Sequence, residues 1–264
     1  MIADSTLAAR ALLRWYADSG VDEAVGLEPH DCFQAPPSAP PFAARPAPRI
    51  VPAPIAAAAQ ISADEAIAAA RAIAAACATV DELASAVAAF DGCPLKAGAR
   101  TTVFADGVKG APLLVIGEAP GKDEDQIGKP FVGRAGQLLD RMLAAIGRSR
   151  KENTLISNVI YWRPPGNRTP TQAEIAVCKP FVERLIELTA PRAIMLAGGV
   201  PAQALLGVSG IMRARGAWRD VTISSGAAFP ALPVFHPAFL LRQPAQKRLA
   251  WRDLQSLAAR LTTD

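Results

Sequence analysis

The chain has 264 residues, 51% of them hydrophobic and 20% charged, with 19 glycines and 23 prolines. That is enough to bury an ordinary core in one large domain or two small ones, and it excludes a collagen-like, coiled-coil or wholly disordered chain. The 28 Lys and Arg against 24 Asp and Glu leave a formal charge of +4, which permits an acidic partner such as nucleic acid without demanding one.

Met1-Ile2-Ala3-Asp4 places no basic region ahead of an apolar stretch, and no apolar run approaches the roughly 18 residues of a membrane helix. A cytoplasmic, soluble protein with no membrane partner is expected. Residues 5–18 read as an amphipathic helix carrying Leu7, Leu12, Leu13 and Trp15. Eight of the prolines fall between Pro36 and Pro54, interleaved with alanine, a composition that suits an extended linker. Residues 1–60 therefore read as an arm and residues 61–264 as the body. Two capping boxes, Ser62-Ala-Asp-Glu65 and Thr79-Val-Asp-Glu82, each start a helix. The first, over 63–77, is nearly all Ala and Ile and must pack on something.

From about residue 101, short apolar runs alternate with helical segments. Strands are predicted at Leu113–Ile116, Leu155–Ile160, Ala193–Ala197 and Leu232–Phe235, and helices over 135–146, 172–189, 201–207 and 246–261. The box Thr171-Gln-Ala-Glu174 starts the second of these helices. The segment 214–228 reads as a loop or a hairpin. Such alternation predicts a parallel sheet covered on both faces.

The residues that follow each strand point to a site. After the first come Gly117-Glu-Ala-Pro-Gly121 and three more carboxylates, and near the end of the second come Asn158 and Arg163-Pro-Pro-Gly-Asn-Arg-Thr-Pro170. The third ends in Gly198-Gly199, and His236-Pro237 follows the fourth. Ligands bind at the carboxyl ends of strands in open parallel sheets, so these groups are expected in one pocket. The glycines lack GxGxxG spacing, and neither GxxxxGK[ST] nor GxSxG occurs. Cys32, Cys77, Cys93 and Cys178 form no CxxC pair, and His30 and His236 are the only histidines. The pocket thus offers carboxylates, an amide, an aromatic ring (Phe131) and a histidine without a metal set. That suits hydrolysis of a bond whose leaving group is planar and hydrogen-bonding.

Gly117-Glu-Ala-Pro-Gly121, continuing through Gly128-Lys-Pro-Phe-Val-Gly-Arg-Ala-Gly-Gln-Leu-Leu139, resembles motif A of the family 4 uracil-DNA glycosylases. Arg163-Pro-Pro-Gly-Asn-Arg168 and His236-Pro-Ala-Phe-Leu-Leu-Arg242 resemble two further signatures of that family. The similarity runs from about Phe90 to about Leu261 and leaves residues 1–60 uncovered. It implies a three-layer α/β/α fold with a central four-stranded parallel sheet. It also implies excision of uracil flipped out of single- or double-stranded DNA, which leaves an abasic site.

Carried over residue by residue, the resemblance makes Phe131 the stacking aromatic and Asn158 the amide that reads uracil. Gly117 and Ala119 line the base pocket, and His236 hydrogen-bonds uracil O2. Glu118 and Glu124 are the motif's carboxylates; one would serve water and the charge on the sugar, the other would obstruct thymine's methyl, and the division stays open. Asp123 and Asp125 read as solvated or helix-start carboxylates. Arg163, Arg168 and Arg242 are candidates for the DNA backbone, and Leu240 and Leu241 for an apolar wedge, with core packing equally open to either leucine.

Family 4 enzymes carry four cysteines around an iron–sulfur cluster. The matching positions here are Phe90, Cys93, Trp162 and Cys178, so no cluster and no other cofactor is expected. A monomeric enzyme acting on uracil-containing DNA is the preferred reading. The alternative is a module that binds uracil-containing or single-stranded DNA without turnover. Relatives that crosslink to DNA place a reactive histidine in the loop matching Arg163–Pro170, where none occurs here.

Overall fold

The computed structural model describes residues 62–262. The helix expected over 5–18, the linker at 36–54, His30 and Cys32 lie outside them. The described residues form strands β1 (Ala105–Gly107), β2 (Leu113–Gly117), β3 (Thr154–Asn158), β4 (Ala193–Ala197), β5 (Arg219–Thr222) and β6 (Ala228–Val234). The helices are α1 (Ala63–Ala76), α2 (Val80–Ala89), α3 (Lys122–Ile127), α4 (Arg134–Ala144), α5 (Gln172–Thr189), α6 (Gly199–Leu206), α7 (Ile211–Ala214), α8 (Pro237–Arg242) and α9 (Lys247–Thr262). None of them is long and apolar enough to cross a membrane.

The sheet order is β1-β3-β2-β4-β6-β5. The inner four strands are mutually parallel, while β1 pairs antiparallel with β3 and β5 antiparallel with β6. The expected four-stranded sheet is thus corrected to the parallel centre of a six-stranded mixed one. Both added strands lie at edges. β1 is the tripeptide Ala-Asp-Gly, and β5 buries only Val221, so neither carries the apolar run that marks a central strand. The segment 214–228 contains the end of α7, strand β5 and the turn that leads into β6.

Alternation along the strands builds two cores. Leu114 and Ile116 of β2 face a cluster shared with α1, α2 and α5, and Leu113 and Val115 face one shared with α4, α8 and α9. This is the three-layer α/β/α arrangement. The Ala-rich α1 finds its partner in α5, against which it lays the buried stripe Ala66, Ala70 and Ala74. Small side chains at every fourth position let the two helices approach closely. Arg184 of α5 donates from Nε and Nη2 to the Cys77 carbonyl at 3.0 and 2.7 Å, satisfying an orphan acceptor where α1 ends. The capping box at Thr171 forms as expected, with Glu174 N–H donating to Thr171 Oγ1 at 3.2 Å and Thr171 N–H to Glu174 Oε2 at 2.7 Å.

Trp162 is 1% exposed, meets Tyr161 edge-on and donates from Nε1 to Thr102 Oγ1 at 3.0 Å. Replacing it with alanine leaves a cavity and an unpaired hydroxyl, so Trp162→Ala should lose about 3–5 kcal/mol of unfolding free energy. Urea unfolding of both proteins checks this; a loss below about 1 kcal/mol would show that the site collapses without cost.

Candidate active site

Strand register sets the floor of the site. Gly117, the last residue of β2, lies beside Asn158, the last residue of β3. A Cβ on Gly117 would fall 2.4 Å from Asn158 Oδ1 and 2.5 Å from the Phe131 ring, so only glycine lets the amide and the ring meet there. Phe131 is 6% exposed and its ring stacks beside that of His236, with centroids 5.6 Å apart and planes 30° apart. His236 follows β6 and opens α8. The three groups named from three separate segments are therefore neighbours.

They line a cavity of about 500 Å³, together with Glu118, Ala119, Glu124, Arg168 and Arg242. Pro120, Gly121, Ala135, Pro164, Asn167 and Ala238 complete its wall. These last residues lie beside the expected ones in the chain, and nothing in their own chemistry marks them beforehand.

The polar groups differ in what already occupies them. Asn158 is 2% exposed, yet no hydrogen bond among the described residues engages its amide. The Glu118 carboxylate is likewise unengaged among the described residues, and burial pushes its pKa above the usual carboxylate value. Glu124 is fully engaged. Its Oε2 accepts from Gly121 N–H at 3.0 Å, and its Oε1 accepts from Val132 N–H and Gly133 N–H, both at 2.9 Å.

His236 Nδ1 accepts from Ala238 N–H at 3.1 Å. In a neutral ring the proton then sits on Nε2, which is left to donate. Burial first, and then the positive charge of Arg242, lower this histidine to about 4, with Glu124 opposing them. The ring is neutral throughout the physiological range.

Among the DNA candidates, Arg242 is exposed at the rim beside His236, and Arg163 donates from Nε to Asn167 Oδ1 at 2.7 Å. Arg168 is tied by both Nη atoms to the Glu174 carboxylate, at 2.9 and 2.6 Å, which anchors its loop to the start of α5. Leu240 is corrected from wedge to core: it is 1% exposed and packs in the α4–α8–α9 cluster, whereas Leu241 is half-buried. Asp125 is a helix-start carboxylate, in the first turn of α3, but it is not solvated. It is 6% exposed, and its Oδ1 accepts from Arg100 N–H and Thr101 N–H at 2.8 and 3.1 Å, clamping a neighbouring loop.

The positions that correspond to the cluster cysteines share one core cluster. Phe90 packs edge-on against Phe181 with ring centroids 5.1 Å apart, and Trp162 fills its own buried space. The Cys178 thiol neighbours Cys93 closely enough to hold it below its ordinary range, while Cys178 is itself driven up by Cys93 and by burial. Two protonatable thiols and two aromatic rings do not fit a four-iron cluster, which takes four thiolates. Among the described residues, no group of three or more His, Cys, Asp or Glu is placed to hold a metal ion.

A family model described as the uracil DNA glycosylase superfamily matches residues 104–255. The chain is 36% identical over 169 residues to a type-4 uracil-DNA glycosylase of Pyrobaculum aerophilum, covering 62% of this chain and 85% of the relative. It is 34% identical over 171 residues to the protein of that name from Archaeoglobus fulgidus (63% and 85% covered) and 33% over 165 residues to that from Thermotoga maritima (62% and 84%). The matched span contains both carboxylates, the stacking ring, the amide and the histidine of the cavity. This chain belongs to the uracil DNA glycosylase superfamily.

Proposed function

We propose that residues 61–264 form a monomeric, monofunctional uracil-DNA glycosylase, which hydrolyses the N-glycosidic bond of uracil in single- or double-stranded DNA and needs no cofactor. The observation that carries this reading is the unengaged Asn158 amide, held in one cavity against the Phe131 ring and the neutral His236. A planar base with a donor and an acceptor on one edge completes all three.

The extruded uracil stacks on Phe131, a contact worth ~1–3 kcal/mol. Asn158 Oδ1 accepts from N3–H and its NH₂ donates to O4; cytosine presents the reverse pattern at those atoms. As the bond from C1′ to N1 breaks, positive charge grows on the sugar and negative charge on the base. The free carboxylate of Glu118 supports its assignment to the sugar side, where it stabilises that positive charge and orients the water that adds to C1′. His236 Nε2–H donates to O2 of the departing uracil anion, which later takes up, by way of solvent, the proton lost by the water that adds to C1′. A neutral imidazole suits this role because it donates without needing protonation first. Glu124 has both oxygens committed to backbone N–H groups, which favours a part in shaping the loop over one in the reaction. Arg242 and Arg163 are assigned to the DNA backbone and Leu241 to the wedge.

The reaction is tested with an oligonucleotide carrying a single uracil. Alkali should cleave the enzyme-treated strand at that site, the strand should stay whole without alkali, and a thymine control should survive both. Retained binding without cleavage would replace the enzyme by a binding module.

Asn158→Ala should lower the excision rate by more than roughly tenfold, because the pocket loses its paired hydrogen bonds. Asn158→Asp should shift preference toward cytosine, since a carboxylate accepts from the N4 amine; a wild-type rate in Asn158→Ala removes the residue from the site.

The pH profile has two signatures. His236 stays neutral down to about 4, so the single-turnover rate should show no step near pH 6.5. Glu118 acts as a carboxylate with a raised pKa, so the rate should fall as pH drops through a value above 4.5, and Glu118→Gln should remove that limb. A step near pH 6.5 that disappears in His236→Ala would mean a charged imidazole acts instead.

Protein prepared without oxygen should be colourless, contain no stoichiometric iron and keep full activity in chelator. Brown protein with stoichiometric iron would overturn the cofactor assignment.

A further inference from the structure

Phe131 has a backbone φ of +54°, in the left-handed region that a bulky side chain rarely adopts. Such a conformation persists only where the surroundings impose it. From one side α4 closes on it: a Cβ on Gly136 would lie 1.9 Å from the Phe131 carbonyl oxygen, so the glycine permits that approach. From the other side comes Arg150, in the turn before β3 and absent from the cavity wall. Its Nη1 donates to the Pro130 carbonyl at 2.9 Å and its Nη2 to the Phe131 carbonyl at 2.8 Å.

Those two carbonyls belong to the peptide planes on either side of Phe131. Pinning both planes fixes the φ and ψ between them, and with them the direction of the ring. The guanidinium is itself held. Its Nη1 also donates to Asp106 Oδ2 of β1 at 3.0 Å, and its Nε to Asp140 Oδ1 of α4 at 2.9 Å. The side chain is 15% exposed. Asp106 is shared with Lys129, 3.1 Å away, and despite its burial the two cations hold its carboxyl below the usual range. On the far side of Phe131, Glu124 takes the Val132 and Gly133 N–H groups. The loop is thus gripped by a cation at its carbonyls and an anion at its amides.

We propose that Arg150 is a positioning residue for base recognition, whose planar fork sets the Phe131 backbone so that the ring lies under the extruded uracil. This rests on the proposed glycosylase reading. Lysine retains the charge but presents its donors from one point, and cannot bind both carbonyls and both carboxylates in the same geometry.

The test is a double-mutant cycle between residues 150 and 131, read in single-turnover excision, DNA affinity and melting temperature. Arg150→Lys should slow excision by roughly tenfold or more, with the Kd for DNA within about twofold of wild type. In a Phe131→Ala background, which has no ring to position, the same change should add little. Phe131→Gly takes a positive φ without strain, so Arg150→Lys should lower the melting temperature less in that background than in the wild type. Equal losses in all backgrounds, or a wild-type rate in folded Arg150→Lys, would overturn the proposal. If the wild-type protein excises no uracil, the glycosylase reading fails, while the melting-temperature arm still decides whether Arg150 holds the Phe131 backbone. Should Arg150→Lys not fold, Asp140→Asn loosens the guanidinium from a half-exposed position. It must then show the same non-additive loss at smaller size, and a wild-type rate in it would overturn the proposal.

Discussion

The Glu124 carboxylate, accepting from the amides of Gly121, Val132 and Gly133, is the contact on which the site depends. Charge-assisted hydrogen bonds of this kind are about twice as strong as neutral ones. They draw the start of α3 and the start of α4 onto one anion, and the chain between them has to double back. Phe131 sits in that return, with its ring directed toward the ends of β2 and β3. Without the anion, three half-buried amides would lose their partner, and the loop that carries Phe131 would lose its tie on that side. Of the two glutamates that motif A offers, Glu124 is therefore committed to the loop, while Glu118 stays unengaged in the cavity among the described residues.

A parallel sheet explains why groups so distant in the chain converge. The carboxyl ends of β2, β3, β4 and β6 lie along one edge, so Gly117, Asn158, Gly198 and His236 arrive there by topology alone. Burial at that edge then sets the chemistry. The same removal from water that lowers His236 also raises Glu118, so that an uncharged donor and a carboxylate of raised pKa line one cavity. Opposite charges growing on sugar and base during bond cleavage would each meet a suited group.

Much of this was legible in the sequence. Thr171 and Glu174 marked the start of α5 because a capping box satisfies two amides through purely local contacts. The central strands were legible because buried parallel strands are apolar throughout, as Leu113 to Ile116 are. That Glu118, Asn158 and His236 would share one cavity was legible from motif A, Asn158 and His236-Pro237, since each lies where a strand ends. What escaped depends on long-range partners. Strands β1 and β5 exist because a neighbouring edge offers hydrogen bonds, and their own residues carry almost no pattern. Leu240 and Leu241 are adjacent and alike, and only the packing of α8 on α4 decides which of them is buried. Arg168 read as a candidate for the DNA backbone, and nothing in the sequence showed that Glu174, six residues on, accepts from both its Nη atoms. Arg150 is nineteen residues from the nearer of the two carbonyls it binds, and nothing local distinguishes it from any surface arginine.

The most direct measurement of the central claim is a crystal structure of the protein with its excision product, free uracil and DNA bearing an abasic site. The uracil ring should lie stacked on Phe131, with its N3–H and O4 on the Asn158 amide, its O2 on His236 Nε2, and Glu118 facing the vacated C1′. Uracil bound elsewhere, or in the cavity with its N3 and O4 turned away from Asn158, would contradict that claim.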